Sequence, residues 1–163
     1  MIAAVDGAAY GAGFSLALAA DFVLVTPRAR FSMVFMRMGL VPDFGATYLL
    51  PRVVGAQRAR ELFLSAREVG AQEALSLGIA MEQHEAADLI PRALALAASF
   101  AAASPLAVSL VKRMALDAGA LEVALEAEAN AQALCLQTTP HREAVQRFFD
   151  KQPLPFQWPA NSP

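Results

Sequence analysis

Three small residues near the start of the chain, Gly11-Ala12-Gly13, follow a short apolar run and precede a helical pattern. A strand that enters a glycine-flanked turn at a helix start points several main-chain N–H groups at one place. Such groups can bind an anion, or an oxygen that becomes negatively charged during a reaction. The spacing does not fit G-x-G-x-x-G and lacks the P-loop lysine, so nucleotide phosphate is disfavoured. Close helix–strand packing explains the glycines equally well, and the spacing alone leaves both interpretations open.

Asp43 is the second candidate for chemistry, in the run Pro42-Asp43-Phe44-Gly45. A carboxylate between a proline and an aromatic residue in a loop is expected to be partly desolvated, which raises its pKa toward the range of a general base. Aspartate also commonly caps a helix N-terminus, and a helical pattern begins directly after this run. Residue type and spacing therefore leave a catalytic and a capping role open for Asp43.

The other titratable side chains have no spacing typical of metal ligands, so we predict no metal site. His84, between Glu82 and Glu85, is expected at the surface, and His141 at a helix start without a metal-binding partner. The single Cys135 excludes an internal disulfide and a cysteine-rich zinc site. We interpret it as a small core or interface residue.

Composition narrows the class of protein. The 163 residues are 56% hydrophobic and 17% charged, which excludes a disordered chain and fits one compact domain or part of one. A net charge of −2, with no basic run longer than a pair, disfavours nucleic acid as a partner. Residues 93–111 carry no charge, but the helix-start signature Ser104-Pro105 within them predicts two soluble helices and no membrane span. We expect a cytoplasmic protein.

Short apolar runs separated by Gly, Pro and Asp predict alternating strands and helices over the first half of the chain. Strands are predicted at Met1–Val5, Phe22–Val25, Phe31–Met33 and Ile79–Met81. Helices are predicted at 14–20, Ala46–Leu50, Gln57–Ser65 and Ala71–Leu77. The helix that begins at Ala46 is predicted to stop at Pro51, and the segment Met38–Gly45 before it is predicted to form a shaped loop.

From Glu85 onward the pattern is only helical. Helices are predicted over 85–103, 105–118, 120–137 and 140–150, before a proline-rich tail from Pro153. We therefore predict β/α units over 1–82 and a helical region over 83–163. Because a helical region this apolar needs a surface on which to pack, self-association is expected.

Several segments along the chain share their residue types with one known family. They are 2–21, Phe31, Gly39-Leu40-Val41-Pro42, Gly45, Thr47, Leu50-Pro51-Arg52, Val54-Gly55, Ala71-Gln72-Glu73-Ala74 to Leu77-Gly78-Ile79, and Arg142-Glu143-Ala144-Val145 with Phe148 and Lys151. Their joint pattern resembles the enoyl-CoA hydratase/isomerase family, also called the crotonase superfamily. The resemblance implies an α/β fold with a crotonase-like ββα spiral core and C-terminal helices that build homotrimers and often hexamers. It also implies acyl-coenzyme A thioester substrates, with no cofactor apart from the coenzyme A of the substrate.

The resemblance also implies roles for individual residues. Members share an oxyanion hole of two main-chain N–H groups that stabilises a thioester enolate, and the second of these maps onto Ala12, between Gly11 and Gly13. Asp43 falls where isomerases of the ring-epoxide phenylacetyl-CoA type and aryl-CoA dehalogenases keep an acidic residue. It would act as an acid and base in an isomerase and as a nucleophile in a dehalogenase.

Two departures from the family pattern bear on the reaction. The hydratases use two glutamates to add water, and the corresponding positions here hold Ser15 and Phe35. Neither can exchange a proton as a carboxyl group does, so the resemblance favours an isomerase over a 2-enoyl-CoA hydratase. Ser15 is then expected in the pocket wall.

Binding residues are also implied by position. The acyl pocket would be lined by Phe14, Phe35, Met36 and Phe44, although core filling explains each of them equally well. Lys151 is the best candidate to meet the coenzyme A phosphates of a neighbouring subunit. Weaker candidates for those phosphates are Arg28, Arg30, Lys112 and Arg113.

The chain is shorter than members of the family. The part without a counterpart is the N-terminal one, which holds the other oxyanion donor and most of the adenine site. We therefore expect either a truncated product or a shortened homologue. This keeps a non-catalytic, oligomerising homologue open as an alternative to an enzyme.

Overall fold

The computed structural model describes residues 1–38, 40–116, 130 and 133–153. The chain divides into two compact units, Met1–Leu94 and Ala95–Pro163. The first unit is mixed α/β, and the described part of the second is helical. The division falls within a helix, later in the chain than the predicted boundary after residue 82.

The first sheet is parallel and consists of β1 (Ile2–Val5), β3 (Phe22–Val25) and β6 (Glu82–Gln83), with β3 in the middle. Residues of β1 lie opposite those of β3 in register, from Ile2 beside Phe22 to Val5 beside Val25. The predicted strands at the positions of β1 and β3 are confirmed.

The strand predicted at Ile79–Met81 is wrong. The N–H groups of Ile79 and Ala80 both donate to the Ala74 carbonyl, at 2.9 and 3.1 Å, so these residues close off the C-terminus of the preceding helix, which ends at Ser76, and pair with no strand that the structure describes. The third strand of the sheet begins only at Glu82, after the Met81 N–H has donated to Val23.

The second sheet consists of β2 (Ala8–Tyr10), β4 (Arg30–Ser32) and β5 (Val69–Gly70), with β4 in the middle. β2 is parallel to β4, and β5 is antiparallel to it. The predicted strand over 31–33 is confirmed with its bounds shifted by one residue. β2 was not predicted, because three residues with one buried side chain, Ala9, are too few to set a pattern.

Helices connect the strands and cover the core of the first unit. They are α1 (Ala12–Leu18), a 3-10 helix (Val34–Met38), α2 (Ala46–Val54), α3 (Ala56–Ser65), α4 (Ala71–Ser76) and α5 (Ala86–Ser99), the last of which continues into the second unit. Residues 40–43 carry no regular structure, as the loop predicted over Met38–Gly45 expects. At the start of that range Met38 ends the 3-10 helix instead, and Gly39 lies outside the described residues.

Helix α2 runs through Pro51, contrary to the prediction that it stops there. The proline removes one main-chain hydrogen bond, yet the helix continues to Val54. Its buried residues Ala46 and Leu50 pack in the core, and α2 contacts α1. This burial stabilises the helix despite the missing bond.

One apolar cluster joins both sheets to α1, α2, α3 and α4. At its centre the rings of Phe14 in α1 and Phe31 in β4 lie 5.0 Å apart between centroids. Both side chains are fully buried. Burial of aromatic rings contributes strongly to core stability, so this pair holds the start of α1 against the second sheet.

The described part of the second unit contains the end of α5, a 3-10 helix (Phe100–Ala102), α6 (Pro105–Leu116) and α7 (Thr139–Phe149). The predicted helix start at Ser104-Pro105 is confirmed: the Ala107 N–H lies 3.4 Å from the Ser104 hydroxyl, and the Val108 N–H donates to the Ser104 carbonyl at 3.0 Å. Most of the predicted helix over 120–137 lies outside the described residues, as does the tail beyond Pro153.

Over the described residues, no single helix has both the length and the hydropathy needed to cross a bilayer. Only the pair Ala86–Ala102 and Pro105–Ala115 reaches that threshold together, and a sharp bend separates its two members.

A buried ion pair joins β6 to α5 in the first unit. Arg92 donates from Nε and Nη2 to the two carboxylate oxygens of Glu82, at 2.8 and 2.7 Å. The side chains are 8% and 11% exposed, and His84 Nε2 also lies 2.7 Å from Glu82. The Arg92 hydrogen bonds, aided by His84, lower the pKa of Glu82 against the opposing effect of its burial. The expectation that His84 lies at the surface is therefore wrong: its side chain is 16% exposed.

We predict that Arg92→Met destabilises the fold by about 3–5 kcal/mol, because it leaves the Glu82 carboxylate buried without its cation. Urea unfolding of the variant measures this loss. The double variant Glu82→Met with Arg92→Met serves as the control and should recover most of the lost stability, since no buried charge remains. A loss below about 1 kcal/mol in Arg92→Met would show that water reaches Glu82 freely.

A second cluster predicts how stability depends on pH. Arg67 bonds both Glu61, with Nε to Oε1 at 2.6 Å, and Glu73, with Nη2 to Oε1 at 2.7 Å. The Arg67 hydrogen bonds hold the pKa of Glu61 at about 2 and also lower the pKa of Glu73. A carboxyl with a depressed folded-state pKa stabilises the fold above its unfolded pKa, and this contribution disappears as the pH falls.

We therefore predict that stability falls as the pH is lowered from 4.5 toward 2, the unfolded and folded pKa values of Glu61. Thermal midpoints across this range measure the effect. Glu61→Gln should flatten the pH dependence, whereas Glu85→Gln, at an exposed residue outside this cluster, should leave it unchanged. Equal slopes for the parent and Glu61→Gln would contradict the prediction.

Candidate functional site

The predicted glycine turn connects β2 to α1 at Gly11. The Gly11 N–H donates to the Ser32 carbonyl at 2.9 Å, which extends the pairing of β2 with β4. Its φ of 52° lies in the left-handed region, which a glycine adopts without strain. The Gly11 carbonyl accepts the N–H groups of Phe14 and Ser15 at 3.0 and 3.1 Å and so starts the helix. Both the N–H and the carbonyl of Gly11 are therefore hydrogen-bonded within the fold.

Ala12, the first residue of α1, has a free main-chain donor. Among the described residues, neither its N–H nor the Gly13 N–H donates a hydrogen bond. The first N–H groups of a helix have no partner within the helix itself. A Cβ added at exposed Gly13 would meet no atom within 4 Å, so there is open space beside these donors. The turn can therefore offer the Ala12 N–H to an anionic oxygen.

Phe35 and Ser15 both lie beside this turn. Phe35 is 8% exposed, and its Cζ lies 3.6 Å from the position that a Cβ on Gly11 would occupy. Ser15 is fully buried, and its hydroxyl lies 3.3 Å from the Gly11 carbonyl. Phe35 therefore forms an apolar wall beside the turn, and the Ser15 hydroxyl faces the start of its own helix. Neither side chain carries a carboxyl group for proton transfer.

Asp43 lies in the loop before α2, and its side chain is exposed. The capping alternative is wrong: the N-cap of α2 is Gly45, and no side chain caps the helix. The expected partial desolvation is also absent in this chain, because neighbouring Phe44 is 63% exposed and does not cover the carboxylate. Asp43 is thus a solvated carboxylate whose side chain forms no hydrogen bond in the part of the chain that the structure describes.

The remaining predicted binding residues occupy three kinds of position. Phe14 is fully buried against Phe31, as the core-filling alternative expects. Phe44 and Met36 are exposed, so each offers apolar surface to a ligand or to another chain. Lys151 is exposed in the turn after α7 and belongs to the second unit.

Arg28 and Arg30, two of the candidate cations, form hydrogen bonds within the first unit. Arg28 donates to Asp6, with Nε at 2.6 Å from Oδ1, and the Thr26 hydroxyl donates to the same oxygen. Arg30 donates to the carbonyls of Pro27 and Ala29. Among the described residues, no group of three or more His, Cys, Asp or Glu side chains could hold a metal ion.

A family model described as enoyl-CoA hydratase/isomerase matches residues 1–159 of the chain. The chain belongs to this family. The predicted resemblance to the family is confirmed over nearly the whole sequence.

Relatives and solved structures agree with this assignment. A Rhodobacter capsulatus protein named probable enoyl-CoA hydratase is 42% identical over 156 residues, which cover 94% of this chain and 60% of that protein. The 1,2-epoxyphenylacetyl-CoA isomerase of Escherichia coli is 34% identical over 153 residues, covering 93% and 58%. The crystal structure of an enoyl-CoA hydratase/isomerase from Cupriavidus metallidurans matches with a TM-score of 0.97 at 49% identity, over 99% of this chain and 62% of that one.

These comparisons establish the α/β crotonase fold. They also show that the chain matches only part of the length of its relatives. The chain spans about 60% of the relatives that it matches, with 60% and 58% for the two proteins named above. The named relatives include both a hydratase and an isomerase, so the family is assigned while the reaction is not.

The sequence did not indicate Ser32, whose carbonyl accepts the hydrogen bond from the Gly11 N–H. Its only local signal was a polar side chain between apolar neighbours in a predicted strand. Its pairing with β2 depends on a parallel register between strands about twenty residues apart, which no short motif indicates.

Proposed function

We propose that this chain acts on an acyl-CoA thioester through an enolate, and that it is more an isomerase than a hydratase. The observation that carries the proposal is the free Ala12 N–H beside open space at Gly13. A fixed main-chain donor stabilises an oxygen as it becomes an anion, without reorganisation during the reaction. A thioester carbonyl that becomes an enolate is such an oxygen.

Asp43 supplies the proton chemistry in this proposal. Its carboxylate takes a proton from one carbon of the acyl chain. The electron pair left behind moves onto the thioester carbonyl oxygen, which accepts a hydrogen bond from the Ala12 N–H. The protonated Asp43 then returns the proton to a different carbon, which shifts the double bond and restores the carboxylate. One carboxylate therefore suffices for isomerisation.

The residues at the turn support isomerisation over hydration. Adding water across a double bond needs groups that orient the water and exchange protons with it. Phe35 is an apolar wall, and the Ser15 hydroxyl faces the Gly11 carbonyl. A hydratase remains the alternative, since several relatives, including the Rhodobacter capsulatus protein, are named for that activity. A robust rate of crotonyl-CoA hydration would decide for it.

A second candidate, the non-catalytic oligomerising homologue, is favoured by a different observation. Asp43 and Phe44 are exposed in this chain, which leaves the proposed acid without an enclosed pocket. Calorimetry with a panel of acyl-CoA thioesters separates the two candidates. Micromolar binding supports the enzyme, and an absence of binding supports the non-catalytic homologue.

The proposal extends to assembly and location. We propose a homotrimer or hexamer in the cytoplasm, formed through the helical region, where Val111, Leu134, Leu136 and Phe149 are exposed apolar residues. No cofactor apart from the substrate's coenzyme A is needed. Sedimentation equilibrium measures the assembly, and a monomer at high micromolar concentration would contradict it.

Deuterium exchange in heavy water tests the proposed reaction directly. The chain is incubated with 3-enoyl-CoA and 2-enoyl-CoA thioesters, and NMR follows deuterium entry at the carbons beside the carbonyl and double bond. Isomerisation predicts interconversion of the two thioesters with deuterium incorporation. Hydroxyacyl-CoA as the main product would instead establish a hydratase.

A further inference from the structure

The carbonyl oxygen of Ala66 accepts two side-chain hydrogen bonds from the segment that borders the candidate site. The Ser32 hydroxyl donates to it at 2.9 Å, and Nη2 of Arg37 donates to it at 2.6 Å. A carbonyl oxygen has two lone pairs, so both are engaged. Ser32 and Ala66 are each 1% exposed. We call this arrangement of Ser32, Arg37 and the Ala66 carbonyl the Ala66 clamp.

Ser32 connects the clamp to the glycine turn. Its side chain donates to Ala66 while its own carbonyl accepts the Gly11 N–H at 2.9 Å. Residue Tyr10, directly before the turn, donates its hydroxyl to Glu68, close to Ala66 in sequence. The position of the free Ala12 donor therefore depends on contacts with the segment 66–68.

Arg37 connects the clamp to the apolar wall. It lies in the 3-10 helix Val34–Met38, two residues after Phe35, whose ring faces Gly11. The same helix leads into the loop of Asp43, and the Leu40 N–H donates to the Phe35 carbonyl at 3.0 Å. The Ala66 carbonyl oxygen is thus bonded both to Ser32, which contacts the glycine turn, and to the 3-10 helix that contains Phe35.

A purely structural explanation of these bonds is that they cap α3. Ala66 is the C-cap of α3, and carbonyls at a helix C-terminus need donors. Capping alone would not require donors from two separate elements, β4 and the 3-10 helix. Ala66 ends α3 in a left-handed conformation, with φ 48° and ψ 28°, as helices commonly do. The conformation directs the carbonyl to a point that both Ser32 and Arg37 reach.

We propose that Ser32 and Arg37 are positioning residues, which act through the Ala66 carbonyl to hold the Ala12 amide and the Phe35 ring in a fixed relation. This inference rests on the proposed function, because a fixed geometry of the Ala12 amide and the Phe35 ring matters for catalysis only if the chain catalyses that reaction. The fixed geometry itself is measurable without turnover. Small misplacements of reacting groups cost large factors in rate, so a loosened turn should lower kcat more than substrate binding.

The test compares Ser32→Ala, Arg37→Met and the conservative Arg37→Lys with a matched control, Ser99→Ala. The control removes a hydroxyl that donates to the Leu96 carbonyl at 2.7 Å within the second unit, and it takes no part in the clamp. Amide hydrogen exchange is measured at Gly11 and across β3 in each variant. We expect protection at Gly11 to fall about tenfold more than protection in β3 for Ser32→Ala and Arg37→Met. Arg37→Lys should retain protection, and Ser99→Ala should leave Gly11 unchanged.

Equal losses at Gly11 and β3, or no loss at Gly11, would reduce the clamp to a helix cap and overturn the proposal. Because Arg37 is exposed, Arg37→Met decides the question even where buried Ser32→Ala fails to fold. Turnover provides the second readout: kcat should fall about tenfold with KM changed less than about twofold. An inactive parent chain would count against the proposed function alone, since the exchange measurement still decides the clamp.

Discussion

Asp43→Asn is expected to lower the rate of acyl-CoA isomerisation by about 10²–10⁴-fold, the range of a positioned acid–base group. Asparagine keeps the shape of the side chain but cannot take a proton and return it. The carboxylate caps no helix, and its side chain forms no hydrogen bond to any described residue. Its removal should therefore change the free energy of unfolding by less than about 0.5 kcal/mol. Binding of the thioester should persist.

The measurement combines deuterium incorporation, thioester calorimetry and thermal unfolding on one protein preparation. Asp88→Asn is the matched control, because Asp88 is an exposed carboxylate in the first turn of α5. We expect full turnover in the control. If Asp43→Asn retains more than about a third of the parent's turnover, Asp43 is not the acid–base group.

The parts of the fold that could be predicted are those with local signals. β1 and β3 are continuous apolar runs, and the start of α6 combines a capping serine with a proline at the first helical position. Each signal lies within a few residues of the element that it sets. The bounds of these elements were therefore close to those observed.

Features that depend on distant partners could not be predicted. The sequence around His84 contains two neighbouring acids and looks solvated, yet Arg92 from the next helix pairs with Glu82 and buries the group. Likewise β2 exists only through its parallel pairing with β4, and α2 passes Pro51 because its apolar face is buried. These contacts join separate elements, so no local pattern indicates them.

The candidate site shows the same division. The glycine turn was found from its spacing, and the role proposed for Ala12 comes from the family resemblance. Only the register of β2 with β4 shows that the Gly11 amide is already used and that the Ala12 amide is left free. For Asp43, apolar neighbours in sequence predicted desolvation, but Phe44 is exposed and leaves the carboxylate solvated.

Ala12→Pro is the second variant with a large expected effect, because it removes the proposed oxyanion donor and little else. Ala12 is the first helical residue of α1, a position that tolerates proline because its N–H has no partner within the helix. Side-chain substitutions cannot delete a main-chain donor, whereas proline lacks the N–H. Loss of one such donor costs about 10²–10³-fold in rate.

Ala56→Pro provides the matched control, since Ala56 is the exposed first residue of α3 and also follows a glycine N-cap. The single most direct measurement is the isomerisation rate of Ala12→Pro and Ala56→Pro beside the parent, with both variants shown to be folded by thermal unfolding. If the Ala12 N–H stabilises the enolate oxygen, the rate should fall about 10²–10³-fold for Ala12→Pro alone. A folded Ala12→Pro variant that turns over as fast as the parent would contradict that role.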